Sequence, residues 1–136
     1  MAALTNYTEN KIIDHIFRTA TFAKPTILYV GLMLSGTDFE AGTVTEVTAA
    51  GYARVARNPL DANWAASTTN GTTSNMTTIQ FPAATADWGT VTYYGIWDTA
   101  TAGNLLIYSA LTNSRNILNG VNSSFASGVL TFQIDN

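Results

Sequence analysis

A chain of 136 residues, 46% of them hydrophobic, is long enough to form one domain around a sizeable core. The absence of cysteine excludes disulfides, zinc–thiolate sites and thiol nucleophiles, and it fits assembly in a reducing cytoplasm. A net charge of −3 with six scattered basic residues argues against a nucleic-acid partner. We expect a single domain over residues 1–136, with no secretory signal and no membrane partner.

The chain is unusually poor in charge. Only 11% of its residues are charged, against about 25% in ordinary soluble domains. Thr, Ser and Asn fill the polar positions instead, and a neutral surface of this kind loses little ionic hydration when it docks. Two interpretations stay open: a contact surface for a permanent oligomer, or merely a threonine-rich strand surface.

An amphipathic helix is predicted over residues 6–19. Asn6 can cap it with Glu9 three positions on, as in a capping box. Four apolar residues then share one face of the helix: Ile12, Ile13, Ile16 and Phe17. We expect this face to pack on the chain's own sheet, the alternative being a neighbouring subunit.

After Pro25 the spacing of apolar residues changes from helical to strand-like. A nearly continuous apolar run over residues 27–34 predicts a central strand covered on both faces. Shorter strands are predicted at 44–47 and 52–57. Residues 35–42 and 60–75 are rich in Gly, Asp, Asn or Thr and are predicted to be loops.

The second half of the chain continues this pattern. Strands are predicted at 79–81, 90–98, 105–111 and 129–134. Asp98 is placed for an Asx-turn in the connecting loop, where Gly103 can adopt a positive φ. The pair Asn119-Gly120 predicts a tight two-residue hairpin. About eight short strands and one helix indicate a mainly β fold, an antiparallel β-sandwich.

The residues that could carry chemistry have simpler structural explanations. His15 lies on the polar side of the predicted helix, where a solvated side chain is expected. Calcium ligation by Asp38 with Glu40, or by Asp61, lacks the spacing of a calcium loop. Turn formation accounts for two further acids beside tryptophans, Asp87 and Asp98. We therefore predict no catalytic, cofactor-binding or metal-binding residues and no cofactor.

The aromatic residues allow two interpretations. A sugar-stacking platform is one, and core filling is the expected alternative for large rings in a small sandwich. Tyr93 and Tyr94 are adjacent on one strand and must point to opposite faces, so at most one can join a given patch. The other candidates are Tyr29, Tyr52, Trp64, Trp88, Trp97 and Tyr108.

Segments along nearly the whole chain resemble a family of small structural proteins of tailed-phage virions, described as tail-fibre or virion structural proteins. The matching segments are Leu4-Thr5-Asn6-Tyr7, Asn10-Lys11-Ile12-Ile13-Asp14-His15, Tyr29-Val30-Gly31-Leu32, Gly51-Tyr52-Ala53-Arg54-Val55, Ile79-Gln80-Phe81-Pro82, Ala86-Asp87-Trp88-Gly89-Thr90-Val91, Gly95-Ile96-Trp97-Asp98, Gly103-Asn104-Leu105-Leu106 and Phe125-Ala126-Ser127-Gly128-Val129-Leu130.

This resemblance implies a non-enzymatic virion component, commonly trimeric, that either cements the capsid from outside or forms part of a tail appendage. The short, repeat-free chain favours a capsid cement protein on the outer capsid surface, bound to the lattice of the major capsid protein. The alternative is a tail-fibre or tailspike-tip protein that recognises a host surface glycan. The expected partners are therefore further copies of the chain, as a homotrimer, and the capsid lattice or a glycan.

Overall fold

The computed structural model describes residues 2–67 and 70–134. Its elements in chain order are β1 (Ala3–Leu4), α1 (Asn6–Phe17), β2 (Leu28–Asp38), β3 (Thr43–Glu46), β4 (Val55–Arg57), β5 (Thr72–Ser74), β6 (Ile79–Gln80), β7 (Gly89–Trp97), β8 (Leu105–Ile117), β9 (Ser124–Phe125) and β10 (Thr131–Gln133). The described residues thus form a mainly β fold with antiparallel pairing and one helix near the N-terminus, which confirms the predicted class. The described residues contain ten strands rather than about eight.

The large sheet has the strand order β1-β8-β7-β2-β3, and β4 also pairs with β2. Strand β2 is central, as predicted, because β7 lines one edge and β3 and β4 share the other. The loop predicted over residues 35–42 is wrong in its first half, because β2 continues to Asp38, which pairs with Thr43 of β3. The pairing of β2 with β3 shifts register twice, between Met33 and Ser35 and again between Gly36 and Asp38, so that pairing continues through this irregular segment.

A second layer covers the inner face of the large sheet. The two-stranded pairs β6–β9 and β5–β10 supply it. One cluster of buried side chains joins the two layers, with Val30 and Leu32 from β2, Val91 from β7, and Phe81 and Phe132 from the second layer. The predicted sandwich core is therefore filled by alternate residues of the central strands.

The hairpin predicted at Asn119-Gly120 and the loop predicted over residues 60–75 are each correct only in part. Asn119-Gly120 does form a turn, in which the Val121 N–H donates to the carbonyl of Leu118 at 3.1 Å. The chain beyond it does not pair back on β8, because β9 pairs with β6 in the other layer. The predicted loop 60–75 contains β5, which pairs with β10, and its residues 68 and 69 lie outside the described residues.

Helix α1 is held to the sheet by threonines. Its N-cap is Thr5, not Asn6, and the Thr5 hydroxyl makes no capping bond because it donates to the carbonyl of Leu105 at 2.6 Å. Buried Thr8 likewise donates to the carbonyl of Leu106 at 2.9 Å. The predicted packing of the apolar face is wrong: the exposed fractions are 54% for Ile13, 62% for Ile16 and 76% for Phe17.

Candidate functional site: the outer face of the large sheet

The side of the large sheet that points away from the second layer is aromatic. Its floor is made by buried Met33, Trp97 and Leu105, on which partly buried rings and one valine pack: Tyr29, Phe39, Val44, Tyr93 and Tyr108. These eight residues are called the outer face below. Tyr93 belongs to this face and Tyr94 to the inner core, so the predicted division between the two adjacent tyrosines is confirmed.

Three rings of the outer face stack in a row. The Phe39 ring lies 4.1 Å from that of Tyr93 and 5.3 Å from that of Tyr108, centroid to centroid, and both pairs are close to parallel. Phe39 reaches this position because Gly36 lies directly beneath it. A Cβ at residue 36 would approach the Phe39 ring to 2.7 Å, closer than real Cβ contacts come. The row is therefore a rigid, half-exposed aromatic surface.

Carboxylates border this row at one end. Burial raises the pKa of the Tyr108 phenol, and the negative charges of Glu40, Asp38 and Glu9 raise this pKa further because they disfavour a phenolate. The Asn6 N–H donates to the carbonyl of Glu40 at 2.9 Å, which joins the start of α1 to the β2–β3 turn. These three carboxylates are called the acidic rim.

A partly buried ion pair lies beside Trp97 of the outer face. The Arg54 guanidinium donates to both carboxylate oxygens of Glu46, from Nε and from Nη2, at 2.7 Å each. It also stacks 4.1 Å from the centroid of the Trp97 ring, which adds a cation–π contact. Nη1 donates to the carbonyls of Thr99 and Ala102, so this arginine also holds the β7–β8 loop.

Tyr52 completes that network. Its hydroxyl donates to Glu46 Oε1 at 2.7 Å and accepts from the Leu32 N–H at 2.9 Å. Burial raises the pKa of the Tyr52 phenol, and the negative charge of Glu46 adds to the rise. Every polar atom here has a partner within the chain, which indicates a rigid structural support for the outer face rather than a reactive centre.

Of the two acids beside tryptophans, Asp98 has the predicted turn role and Asp87 does not. Asp87 accepts from the Asn119 N–H at 2.8 Å, far along the chain from its own segment. Asp98 accepts from both the backbone N–H and the side-chain amide of Asn104, which closes the β7–β8 loop where Gly103 has φ +70°. His15 is exposed, and its Nδ1 accepts from the Phe22 N–H at 3.2 Å.

The structure combines the two interpretations of the aromatic residues. Trp88, Trp97 and Tyr94 are buried, as core filling requires. Trp64 packs against Phe132 in the second layer, with 5.9 Å between ring centroids. Phe39, the centre of the stacked row, was not singled out in the sequence, although the spacing Gly36-x-x-Phe39 is compatible with a ring folding back over a glycine.

A second surface lies along the outer edge of β8. This strand pairs with β1 only at Ile107 and Tyr108, and beyond them it carries a bulge between Ala110 and Arg115. The bulge borders a cleft of about 740 Å³ whose walls combine Asn and Ser side chains with core residues such as Phe81. Open strand edges of this kind can pair with another chain.

Among residues 2–67 and 70–134, no group of three or more His, Asp or Glu side chains could hold a metal ion. No helix among these residues has both the length and the apolar character needed to cross a membrane.

The fold and the outer face together define a small, mainly β protein with a partly buried aromatic cluster on one side of its large sheet. Residues 3–133 match the family described as podophage GP4 fiber I protein gp80, and the chain belongs to this family. This result confirms the resemblance to small structural proteins of tailed-phage virions, and it makes the chain a virion component. No curated protein sequence matches the chain.

Proposed function

We propose that this protein is a non-enzymatic structural subunit of a virion fibre, and that it acts by making contacts through its outer face. The observation that carries the proposal is the family match over residues 3–133. The structure supports it, because the outer face combines a rigid stacked row of rings with an internally satisfied ion-pair network. Half-buried aromatic rings are enriched at protein contact surfaces.

Locating the protein on purified virions tests this proposal. An antibody against the chain should label the tail region, and quantitative gels should give far fewer copies than the major capsid protein. Labelling over the whole capsid at a copy number close to that of the capsid protein would contradict the fibre role.

Capsid cement remains a second candidate, because the low charge of the surface suits docking on a shell. A cement protein would stabilise the assembled lattice by its binding free energy. Virions stripped of the protein should then release DNA at a lower temperature than decorated virions. Equal release temperatures would exclude this role.

Host-glycan recognition is the third candidate and would use the exposed edges of Tyr29, Tyr93 and Tyr108. A glycan array probed with the full chain tests it, with Tyr93→Ala as the matched variant. Saturable binding that the variant loses would support a receptor role. Absence of binding across host surface glycans would exclude it.

A further inference from the structure

The second half of α1 and the chain that follows it extend away from the sandwich. This segment, residues 11–24, is called the arm. Helix α1 packs on β1 and β8 through its first half, where Thr8 is buried. In the arm itself Ile13, Ile16 and Phe17 are exposed, as are most residues from 18 to 24. The helix is amphipathic, but the described chain does not cover its apolar side.

The arm is also where the basic residues concentrate. Lys11, Arg18 and Lys24 are three of the six Lys and Arg residues in the chain. Among the other three, Arg54 is tied to Glu46 and Arg57 donates to the carbonyl of Thr78. The arm carries one carboxylate, Asp14, which lies 3.5 Å from Arg18 in an exposed pair. Three cations against one carboxylate leave the arm net positive.

The outer face is uncharged itself but is bordered by the opposite charge. Its aromatic row ends at the acidic rim of Glu9, Asp38 and Glu40. The arm therefore presents apolar and basic side chains, and the outer face presents aromatic and acidic ones. Such complementarity favours one pairing over self-pairing of either surface, because like charges would then meet.

The arm of one chain does not cover the outer face of the same chain. α1 begins at this face, where the Asn6 N–H meets the carbonyl of Glu40. With a rise of about 1.5 Å per residue, Phe17 lies roughly 16 Å farther along the helix axis. Its side chain is 76% exposed, so its apolar surface is available to another molecule.

We propose that the arm of one copy docks on the outer face and acidic rim of a second copy. The contact is heterologous, since two different surfaces meet, and the resulting pair keeps one free arm and one free face. Such contacts repeat until a ring closes or a filament grows. This mode of self-assembly suits a fibre subunit, but it rests on the described surfaces and not on the fibre role.

Cross-linking of paired single-cysteine variants tests the proposal, since the natural chain has no cysteine. Thr19→Cys places a thiol on the arm and Ala41→Cys places one beside the acidic rim, both at exposed positions. A mass tag distinguishes the two variants. With a short bis-maleimide reagent, we expect a mixed cross-link between tagged and untagged chains and no dimer from either variant alone. Leu118→Cys, at an exposed position outside both surfaces, is the control that should not cross-link.

Two results would overturn the proposal. Dimers formed by Thr19→Cys alone would mean that arm meets arm. Absence of the mixed product would mean that the arm has a different partner or none.

Sedimentation velocity provides a second measurement. The natural chain should self-associate at tens of micromolar, and the double variant Ile16→Ser, Phe17→Ser should raise the dissociation constant at least about tenfold. Leu118→Ser, with 49% of its side chain exposed, should leave association unchanged. A natural chain that sediments as a monomer, or an arm variant that associates like the control, would contradict the proposed contact.

Discussion

Loss of Glu46 should destabilise the protein much more than loss of an exposed carboxylate. The Glu46 carboxylate accepts two bonds from Arg54 and one from Tyr52, each 2.7 Å long. The side chain of Arg54 is only 5% exposed and that of Glu46 21%. Removing one partner of a buried ion pair costs about 3–5 kcal/mol because the other charge remains buried and unpaired.

The expected cost of Glu46→Ala lies at the lower end of this range, about 3 kcal/mol. Arg54 would keep its bonds to the carbonyls of Thr99 and Ala102 and its contact with the Trp97 ring, and the partial exposure of Glu46 screens the pair. The assay is urea unfolding at neutral pH, followed by tryptophan fluorescence and circular dichroism.

The exposed pair of Asp14 and Arg18 provides the matched control. Asp14→Ala should cost less than about 0.5 kcal/mol, as is usual for exposed pairs one helical turn apart. The double variant Glu46→Leu, Arg54→Met should recover much of the loss, since no buried charge is then left alone. Equal losses of unfolding free energy for Glu46→Ala and Asp14→Ala would refute the view that the pair of Glu46 and Arg54 supports the outer face.

Three further predictions follow from buried groups. The raised pKa values of the buried phenols mean that these tyrosines ionise at a lower pH in the unfolded chain than in the folded one, so stability should fall as the pH rises above about 10. Tyr52→Phe should reduce this fall, as measured by urea unfolding at several pH values. An equal fall in both proteins would contradict a role for the Tyr52 phenol. Asn75→Asp should cost about 2 kcal/mol or more, because the buried amide donates to two carbonyls, whereas exposed Asn113→Asp should be nearly neutral by the same assay. Gly31→Ala should cost about 1–3 kcal/mol, because its Cβ would lie 2.7 Å from the Trp97 ring; an unchanged urea midpoint would show that the ring moves freely.

The local chemistry of the sequence predicted much of the fold. Apolar runs located the central strand and the strand that begins after Trp88, because both are long and buried. The turn acid Asp98 was also predicted correctly, since the side chain of an Asp at a turn can bond to nearby backbone, whereas Asp87 bonds to the distant Asn119 N–H. Where the pattern of apolar residues or a turn residue determines the local structure, a single sequence is sufficient to predict that structure.

Contacts between distant segments could not be predicted in this way. Strand β5 reads as a polar loop because Thr72-Thr73-Ser74 has no apolar alternation, and only its pairing with β10 makes it a strand. The turn at Asn119-Gly120 was correctly placed, but local sequence does not say which layer the chain enters next. The ion pair likewise depends on Glu46 at the end of β3 meeting Arg54, which precedes β4.

The helix shows how a wrong prediction can be informative. Ile12, Ile13, Ile16 and Phe17 form an apolar face at helical spacing, and such a face normally packs on the parent domain. Here threonines anchor the helix instead, through hydroxyls bonded to β8 carbonyls, so the apolar face is not needed to hold α1 in place. The exposed apolar side chains and the neighbouring Arg18 and Lys24 are the reason for proposing a partner outside the described chain. In a second copy, the outer face is complementary to the apolar side chains and the acidic rim to the two cations.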